Sequence, residues 1–313
     1  MNKFDIFHIY HGTQGTAGLY IDEIYHSLKK KYTQKLFLNH YYPFDYGEKV
    51  FFRRSTISKG IKYVLLRRII KYLELILGLI YTSWHVMKHK PRVINYSMIS
   101  MYAPERLFLR LIKLLHDGKL VITCHDVIPF SSKVRIFDSE MKKRKRYFEM
   151  ADFLLVHNNN SINELINIYN IPKTKVLYHP FPIMDLKKMG YEYNKEKLYD
   201  FAFVGVVRKS KGINVLLEAW TKFISEYTQG KLLIAGILAG EHIDVAKYQS
   251  KNVSFNFKYL NDYEYCKSIN SAKCVILPYL RGTNSGIPSS ILSLGVDIIA
   301  SDIPMFKNNP LIP

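Results

Sequence analysis

Residues 274–302, CVILPYLRGTNSGIPSSILSLGVDIIASD, contain two apolar runs separated by a loop rich in Gly, Ser and Pro. The runs CVILPY and VDIIAS have the length of buried strands, and the loop leads into a short helical pattern. The stretch therefore predicts a strand, a loop, a helix and a second strand. In a parallel sheet, such a unit presents its loop and helix N-terminus at the carboxyl end of the strands, where backbone N–H groups and the helix dipole favour an anion.

The loop between these runs carries residue types that suit contact with an anion. Gly286 lets the backbone approach a ligand closely, and Pro288 suits the first turn of a helix. Five side chains around them can donate or accept hydrogen bonds: Thr283, Asn284, Ser285, Ser289 and Ser290. An ordinary capped loop uses the same residue types, so this stretch by itself leaves both interpretations open.

The composition predicts a globular protein with two domains. The chain has 313 residues, of which 48% are hydrophobic and 14% aromatic, which is enough for two cores and excludes a disordered chain. Cys124, Cys266 and Cys274 lie far apart in apolar stretches without a CxxC or CxxH pair, which disfavours a disulfide framework or a zinc site. The start, MNKFDIFHIYHG, has too short an apolar run for a signal peptide and predicts the buried first strand of a cytoplasmic protein.

A net charge of +19 predicts an anionic partner. Residues 53–90 contain nine Lys or Arg against the single acid Glu74, mixed with the apolar run YVLLRRIIKYLELILGLIYTSWHVM. The charges interrupt this run too often for a membrane-crossing helix, and they favour a basic amphipathic helix on the anionic inner face of the cell membrane. A core helix with a solvated basic face is the alternative. No nucleic-acid-binding module is recognisable, so nucleic acid is not an expected partner.

Strand-like apolar runs alternate with helical patterns along the chain, which predicts doubly wound, mostly parallel sheets. Two such series are separated by the polar, poorly periodic stretch 185–200, which we interpret as a linker. The predicted domains are therefore 1–184 and 201–313. The chain ends shortly after the fifth predicted strand of the second series, so the second domain is expected to be truncated at its C-terminus.

Loops at the carboxyl ends of the predicted strands carry candidate binding residues, because ligands of open parallel sheets collect there. The run FVGVVRKSKG places Arg208, Lys211 and Gly212 between a strand and a helix, where a cationic pair beside helix N–H groups suits a diphosphate. A basic surface loop is the alternative interpretation. VITCHDVIPF places His125 and Asp126 after another strand, although a lone histidine is more often structural.

The first glycine loop, HGTQGTAG, lies after the first predicted strand and joins this set of candidate loops. Its glycines Gly12, Gly15 and Gly18 do not follow the GxGxxG spacing of dinucleotide-binding enzymes, which argues against a Rossmann dehydrogenase. We still expect the backbone at Gly12, beside His11, to approach a ligand closely.

The order of these motifs resembles that of GT-B glycosyltransferases of the retaining family 4 type. FVGVVRKSKGINVLLEAW is similar to the region in which that family holds the donor diphosphate. Later motifs follow in the family's order: LLIAG, DYEYCKSINSA and GVDIIASDIP. Other motifs resemble its acceptor-side half: VITCHDVIPF, ADFLLVHN and KVLYHPF. The resemblance covers nearly the whole chain and implies two Rossmann-like α/β domains, the first facing the acceptor and the second binding a nucleotide-sugar.

By this resemblance, the protein is a hexosyltransferase-type glycosyltransferase. It would move a sugar from a UDP- or GDP-linked nucleotide-sugar to a lipid-linked or polysaccharide acceptor, with no metal ion and no further cofactor. Arg208 and Lys211 would contact the donor pyrophosphate, and His125 would lie near the transferred sugar. The helix N-terminus near Gly286 would help to stabilise the leaving phosphate.

The sequence departs from this family at one point. The family commonly has two glutamates around the last loop, and the corresponding positions here are Gly282 and Ser290. Asn284, Ser285 or the backbone must then hold the ribose and the sugar hydroxyls. A catalytically inactive sugar-nucleotide-binding or scaffold subunit of a polysaccharide assembly system is therefore the alternative function.

Overall fold

A computed structural model describes residues 4–12, 17–42, 44–53, 63–100, 102–129, 134–186, 196–240, 242–249, 251–282, 286–307 and 312. The chain forms two compact units, Met1–Pro180 and Phe181–Pro313. We call them unit 1 and unit 2.

The described part of unit 1 is built on a seven-stranded parallel sheet with the order β3-β2-β1-β4-β5-β6-β7. Its strands are β1 (Ile6–Ile9), β2 (Gln34–Asn39), β3 (Glu48–Phe51), β4 (Val93–Tyr96), β5 (Lys119–Thr123), β6 (Phe153–Val156) and β7 (Val176–Tyr178). All four residues of β1 are buried, as expected for a central parallel strand that is covered on both faces.

The helices of unit 1 cover this sheet. They are α1 (Ala17–Leu28), α2 (Val64–His89), α3 (Ala103–Leu115), α4 (Val134–Met150) and α5 (Asn159–Asn167). α3 has Pro104 in its first turn and buries Phe108 and Ile112 on one face. α5 begins where the side chain of Asn158 accepts a hydrogen bond from the Ser161 N–H at 2.7 Å.

The described part of unit 2 contains a five-stranded parallel sheet with the order β10-β9-β8-β11-β12. Its strands are β8 (Tyr199–Val204), β9 (Leu232–Ala235), β10 (Val253–Asn256), β11 (Ala272–Leu277) and β12 (Asp297–Ala300). Its helices are α6 (Ile213–Glu226), α7 (Ala246–Gln249), α8 (Asp262–Asn270), α9 (Ile287–Ser293) and α10 (Pro304–Lys307). α6 buries Leu216, Leu217 and Trp220 on one face, and a capping box of Asn261 and Glu264 starts α8.

The strand order reverses once in each sheet. In unit 1 the chain runs from β1 outward to β2 and β3, and it then continues with β4 on the other side of β1. In unit 2 it runs from β8 to β9 and β10, and it then continues with β11 on the other side of β8. The loops that follow these central strands diverge at the reversal, which is where open α/β sheets bind ligands.

The predicted fold class, two doubly wound α/β domains, is confirmed by these two sheets. Strand β3 was not predicted, because EKVF is short, charged at two positions and only partly buried at the edge of the sheet. The linker predicted at 185–200 stays a prediction, since residues 187–195 lie outside the described ranges.

The cysteines lie in the core. Cys124, Cys266 and Cys274 are buried and none forms a disulfide. Burial raises the pKa of the Cys124 thiol, because a thiolate would be poorly solvated there. The three residues therefore act as small apolar side chains.

Across the described ranges, no helix has both the length and the hydropathy that a bilayer-crossing segment requires.

Two close approaches of the backbone in unit 2 depend on glycine. Gly212 has a φ of +71°, and a Cβ at this position would lie 1.7 Å from the carbonyl oxygen of Pro278. Gly236 has a φ of +139°, and a Cβ there would lie 1.7 Å from the carbonyl oxygen of Gly205. The chain segments that follow β8, β9 and β11 meet because these two positions carry no side chain.

We expect Gly212→Ala to destabilise unit 2 by about 3 kcal/mol or more, because it adds a clash with a carbonyl oxygen to an unfavourable backbone conformation. Gly240→Ala is the matched control, since Gly240 also has a positive φ, +76°, but among the described residues no atom beyond its chain neighbours lies within 4 Å of its added Cβ. The control should cost only about 1–2 kcal/mol. Urea denaturation measures both values, and equal losses would contradict the steric argument.

A buried polar network crosses the core of unit 1 at His8. The Nε2–H group of His8 donates to Gln34 Oε1 at 2.7 Å, and its Nδ1 accepts from the Asn95 amide at 3.0 Å. Burial lowers the pKa of His8 to about 4, because a charged imidazole would lose its hydration there. His8 is therefore neutral in the folded protein near pH 7.

We expect this network to make unit 1 sensitive to acid. The unfolded chain protonates His8 below its ordinary pKa of 6.5, whereas the folded protein does so only near pH 4. The contribution of His8 to stability is thus complete above pH 6.5 and is lost as the pH falls towards 4, at about 1.4 kcal/mol per pH unit. His8→Gln should reduce the slope of unfolding free energy against pH in this window by the contribution of one proton, which is about 1.4 kcal/mol per pH unit. Urea denaturation at a series of pH values tests this, and an unchanged slope would show that His8 is not the group involved.

Candidate functional site

The loop that follows β8 carries the predicted cations of unit 2. The chain passes Arg208, which has an extended backbone, and then makes a 3₁₀ turn at Lys209–Lys211. Gly212 ends this turn and precedes the first residue of α6. Arg208 and Lys211 are both half-buried. Both cations therefore lie directly ahead of the positive end of the α6 dipole, at the carboxyl end of the central strand.

The loop after β11 holds this cationic turn in place. The Leu280 N–H donates to the Ser210 carbonyl oxygen at 3.0 Å, and the Lys211 ammonium lies 3.5 Å from the centre of the Tyr279 ring. Tyr279 is buried and packs against Phe306, with 5.2 Å between the ring centres. Because an aromatic face attracts a cation, Tyr279 fixes the charge of Lys211 at the point where the strand order reverses.

The turn at Gly286 lies at the same edge of the sheet. The Ile287 side chain comes within 3.7 Å of the position that a Cβ on Gly205 would occupy, so α9 begins beside the end of β8. Asn284 and Ser285, which were predicted to contact the donor, lie outside the described residues.

Two serines of the predicted anion loop are used inside unit 2. The Ser289 hydroxyl donates to the Pro182 carbonyl oxygen at 2.6 Å and accepts from the Met184 N–H at 2.8 Å. The Ser290 hydroxyl donates to the Gly286 carbonyl oxygen at 3.2 Å. Both serines are buried. They therefore anchor α9 within unit 2 rather than present a hydroxyl to a ligand.

The edge of unit 2 carries positive charge beside a helix start. Arg208 and Lys211 bring two positive charges to the start of the 14-residue helix α6. Charge-assisted hydrogen bonds from Arg and Lys are stronger than neutral ones, and helix N–H groups add to them. This arrangement suits a ligand with two adjacent negative groups.

In unit 1, two histidines meet where β5 and β6 end. His125 follows β5 and His157 follows β6, and their ring centres are 5.6 Å apart. The buried ring of Tyr20, from α1, stands edge-on to His125 at 5.1 Å and to His157 at 4.9 Å. Sequence reasoning found His125 and missed the other two. His157 has the same sequence signal as His125, since LLVHN also places a histidine directly after an apolar strand.

Hydrogen bonds assign the tautomers of these histidines. His125 Nε2–H donates to the Ser97 carbonyl oxygen at 3.0 Å, and His157 Nδ1–H donates to the His179 carbonyl oxygen at 2.9 Å, because a carbonyl can only accept. Burial lowers the pKa of His125 to about 4 and that of His157 to about 3. Both rings are neutral near pH 7, so His125 Nδ1 and His157 Nε2 have acceptor character.

The backbone of the loop that contains Asp126 is held from two sides. Arg144, on α4, donates from Nη1 to the Asp126 carbonyl oxygen, and the Tyr169 hydroxyl donates to the Val127 carbonyl oxygen at 2.8 Å. Burial raises the pKa of Glu164, on α5, to about 7, and the charge of Asp126 adds to the increase. Asp126 thus lies near a second carboxyl group that sequence reasoning did not identify.

A buried carboxylate holds the loop that contains Gly12. Glu105, in the first turn of α3, accepts from His11 Nε2 at 2.8 Å and from the Ser100 N–H at 2.9 Å. A Cβ on Gly12 would lie 2.1 Å from the Tyr10 hydroxyl oxygen, so packing against Tyr10 already requires glycine here. Contact between Gly12 and a ligand stays a prediction.

The predicted residues fall into two groups. One lies at the carboxyl edge of unit 2: Arg208, Lys211, Gly212 and Gly286. The other lies at the carboxyl edge of unit 1: His11, Gly12, His125 and Asp126. Among the described residues, no cluster of three or more His, Cys, Asp or Glu side chains could hold a metal ion.

No protein-family model matches this sequence, and no curated protein shows significant similarity to it. Solved structures, however, share its fold. Sucrose-phosphate synthase from Thermosynechococcus elongatus is 15% identical, with a TM-score of 0.60 over 95% of this chain and 81% of that chain. A glycosyltransferase from Rickettsia africae is 13% identical, with a TM-score of 0.58 over 97% of this chain and 80% of that chain.

A third similar structure is a UDP-forming α,α-trehalose-phosphate synthase from Burkholderia xenovorans. It is 11% identical, with a TM-score of 0.55 over 95% of this chain and 85% of that chain. At such low identity, the likeness concerns the fold. These structural neighbours are GT-B glycosyltransferases, and the GT-B fold predicted from the motifs is therefore confirmed.

Proposed function

We propose that the protein is a hexosyltransferase-type glycosyltransferase. In this proposal it moves a sugar from a UDP- or GDP-linked nucleotide-sugar to a lipid-linked or polysaccharide acceptor. The supporting observation is the cationic turn of Arg208 and Lys211, held against the loop after β11 at the strand reversal of a GT-B unit. One structural neighbour is named as a UDP-forming synthase, so its reaction releases a nucleoside diphosphate. A diphosphate is the leaving group that two fixed cations suit.

In the proposed reaction, the bond between the sugar and the pyrophosphate breaks, and negative charge grows on the departing oxygen. Arg208 and Lys211 stabilise this charge together with the N–H groups at the start of α6. The reaction then needs no metal ion and no cofactor beyond the nucleotide-sugar. We further propose retention of configuration, as in the family 4 type that the motifs resemble.

The remaining donor contacts are backbone and hydroxyl groups. We assign close backbone contact to Gly12, Gly212 and Gly286, because an absent side chain lets a phosphate or sugar approach the chain. Asn284 and Ser285 are assigned to the ribose and to sugar hydroxyls.

We assign the catalytic positions of unit 1 to His125 and Asp126. Neutral His125, which donates its Nε2–H to the Ser97 carbonyl oxygen, is the proposed neighbour of the transferred sugar. Its lowered pKa keeps it in this form throughout the physiological range. Asp126 supplies a carboxylate at the same edge.

The proposed location is the cytoplasm, peripheral to the inner face of the cell membrane. An anionic membrane surface is then a partner and nucleic acid is not. The basic residues and exposed apolar residues of α2 support this location.

A catalytically inactive sugar-nucleotide-binding or scaffold subunit of a polysaccharide assembly system is the second candidate. Ser290 lies at a position where the family that the motifs resemble carries a glutamate. Its side chain is buried, and its hydroxyl donates to the Gly286 carbonyl oxygen. Gly282, at the other glutamate position, has no side chain. Neither position supplies a carboxylate, whereas Arg208 and Lys211 could still bind a diphosphate.

Substitution of Arg208 tests the transferase directly. We expect Arg208→Ala to slow sugar transfer roughly 10²–10³-fold, the usual loss when one fixed donor to a developing anion is removed. Lys222→Ala is the matched control, because it removes an exposed charge near the opposite end of α6. Transfer from UDP-glucose, UDP-N-acetylglucosamine and GDP-mannose to membrane vesicles is followed by mass spectrometry. Equal rates for Arg208→Ala and wild type would reject the assigned role.

Nucleotide binding separates a chain with a donor site from a scaffold subunit without one. We expect either UDP or GDP to stabilise the folded protein by about 2.7 kcal/mol at a hundredfold excess over Kd, and thereby to raise its melting temperature. Arg208→Ala should remove this effect. Calorimetry with both nucleotides provides the measurement. Binding without transfer would favour the inactive sugar-nucleotide-binding subunit. Binding of neither nucleotide would contradict the transferase and would favour a scaffold subunit.

A further inference from the structure

A continuous apolar face runs along α2 and α3 in unit 1. More than half of the large apolar side chains that are exposed in the described ranges lie between residues 63 and 115. On α2, exposed apolar residues recur at spacings of three and four, which places them on one side of the helix: Leu73, Leu77, Ile80, Trp84 and Met87. On α3, the corresponding row is Leu107, Leu111 and Leu114. We call these two rows the α2–α3 face.

This face is distinct from the side by which α2 packs onto unit 1. Leu75, Leu79 and Val86 are buried on that packed side. On the α2–α3 face, by contrast, Trp84 is 53% exposed and Leu107 is 59% exposed. Packing within unit 1 accounts for one apolar side of α2 and leaves the other in contact with solvent. A contiguous exposed surface of this kind marks an interaction site.

A groove between the two helices extends the apolar contact. Its volume is about 460 Å³, and its lining is apolar apart from the Ser83 hydroxyl and the polar end of Tyr72. Leu79 and Phe108 are buried at its base, whereas Leu107 in its wall is exposed. Hydrocarbon can therefore pack both on the rows and between the helices.

Charge decides between a lipid surface and a second copy of the chain. α2 and α3 together carry seven Lys or Arg against two glutamates, and one of these, Glu105, is buried against His11. Arg106 and Arg110 run beside the leucine row of α3 at a spacing of four. Pairing of two such faces would bring like charges together, whereas an anionic surface complements them.

The aromatic residues fit the same partner. Trp84 lies on the face, and the Lys88 ammonium lies 4.7 Å from the centre of its ring. Tyr63 and Tyr102, which precede α2 and α3, are also exposed. Trp and Tyr favour the boundary between acyl chains and headgroups, and long basic side chains reach from that depth to the phosphates.

We propose that the α2–α3 face docks onto a bilayer that contains anionic glycerophospholipid, with both helices lying in the plane of the surface. The apolar rows enter the boundary of the acyl layer, and Arg106 and Arg110 meet the lipid phosphates. This inference deepens the proposed membrane association and rests on it, but it requires neither nucleotide binding nor sugar transfer.

Trp84 provides a natural reporter for the docking. The chain has two tryptophans, and Trp220, in unit 2, is only 3% exposed. Vesicles of phosphatidylcholine mixed with phosphatidylglycerol should shift the Trp84 emission to shorter wavelength, and phosphatidylcholine with brominated acyl chains in the mixture should quench it. Trp84→Phe should remove both signals. Vesicles of phosphatidylcholine alone should bind more weakly, and added salt should weaken binding to the mixed vesicles.

Substitutions on the face test its contribution. Leu107→Ser with Leu111→Ser should lower partition into mixed vesicles more than roughly tenfold, because two leucines lose their burial in the acyl layer. The matched control is Ile168→Ser with Leu177→Ser, which alters two apolar residues of unit 1 that are 49% and 40% exposed outside the face. The control should bind like wild type.

A second pair of variants tests the charges. Arg106→Gln with Arg110→Gln should lower binding to mixed vesicles roughly tenfold or more, since each basic residue near an anionic surface contributes about 1 kcal/mol. Lys142→Gln with Lys143→Gln removes two exposed charges from α4 and is the control. It should have little effect.

Several outcomes would overturn the proposal. They are equal partition into neutral and mixed vesicles, unquenched Trp84, and leucine variants that bind as well as their control. Self-association without lipid that the leucine substitutions abolish would assign the face to a second copy instead. Circular dichroism checks the fold of each variant, and calorimetry with UDP and GDP checks the donor site. Lost docking with intact nucleotide binding removes this inference alone, whereas intact docking without nucleotide binding removes the proposed transferase alone.

Discussion

The parallel pairing of β8 with β11 is the constraint on which the candidate donor site depends. Its register, in which Cys274 lies opposite Phe201 and Val275 opposite Ala202, brings the carboxyl ends of both strands to one edge. The loops that follow then meet closely enough for the Pro278 carbonyl to occupy the space beside Gly212. Without this pairing, the two cations of the β8 loop would be ordinary surface charges. The proximity of both cations to a helix start, and of Lys211 to a buried aromatic ring, is a product of sheet geometry.

Unit 1 shows how buried polar groups can support an edge of this kind. Glu105 accepts hydrogen bonds from the loops after β1 and β4, and His125 donates across to the loop after β4. The His11–Glu105 and His125–Ser97 bonds join segments that follow different strands, so they hold the edge as well as satisfy the buried groups. Burial also keeps His125 and His157 uncharged, which suits them to hydrogen bonding with hydroxyl groups rather than to binding phosphate.

α2 is apolar both on the side that packs against unit 1 and on the side that meets solvent. One side packs against unit 1 through Leu75, Leu79 and Val86, and the opposite side stays apolar although it meets solvent. A helix that only covered a sheet would carry polar residues on its outer side. Instead of lining the outer side of the whole helix, three of the basic residues of α2 lie near its start: Arg67, Arg68 and Lys71.

Much of the architecture was determined by the sequence alone, because alternating apolar runs and helical periods depend on local spacing. The same local signals located Arg208, Lys211 and His125 after their strands. Tertiary structure alone decided which distant residues join them: His157 and Tyr20 beside His125, Tyr279 beneath Lys211, and Glu105 against His11. It also decided which apolar side of α2 packs inward, since periodicity distinguishes the sides of a helix but not their neighbours. Contacts of this kind follow from strand register and loop closure, which bring together residues that no short stretch of sequence contains.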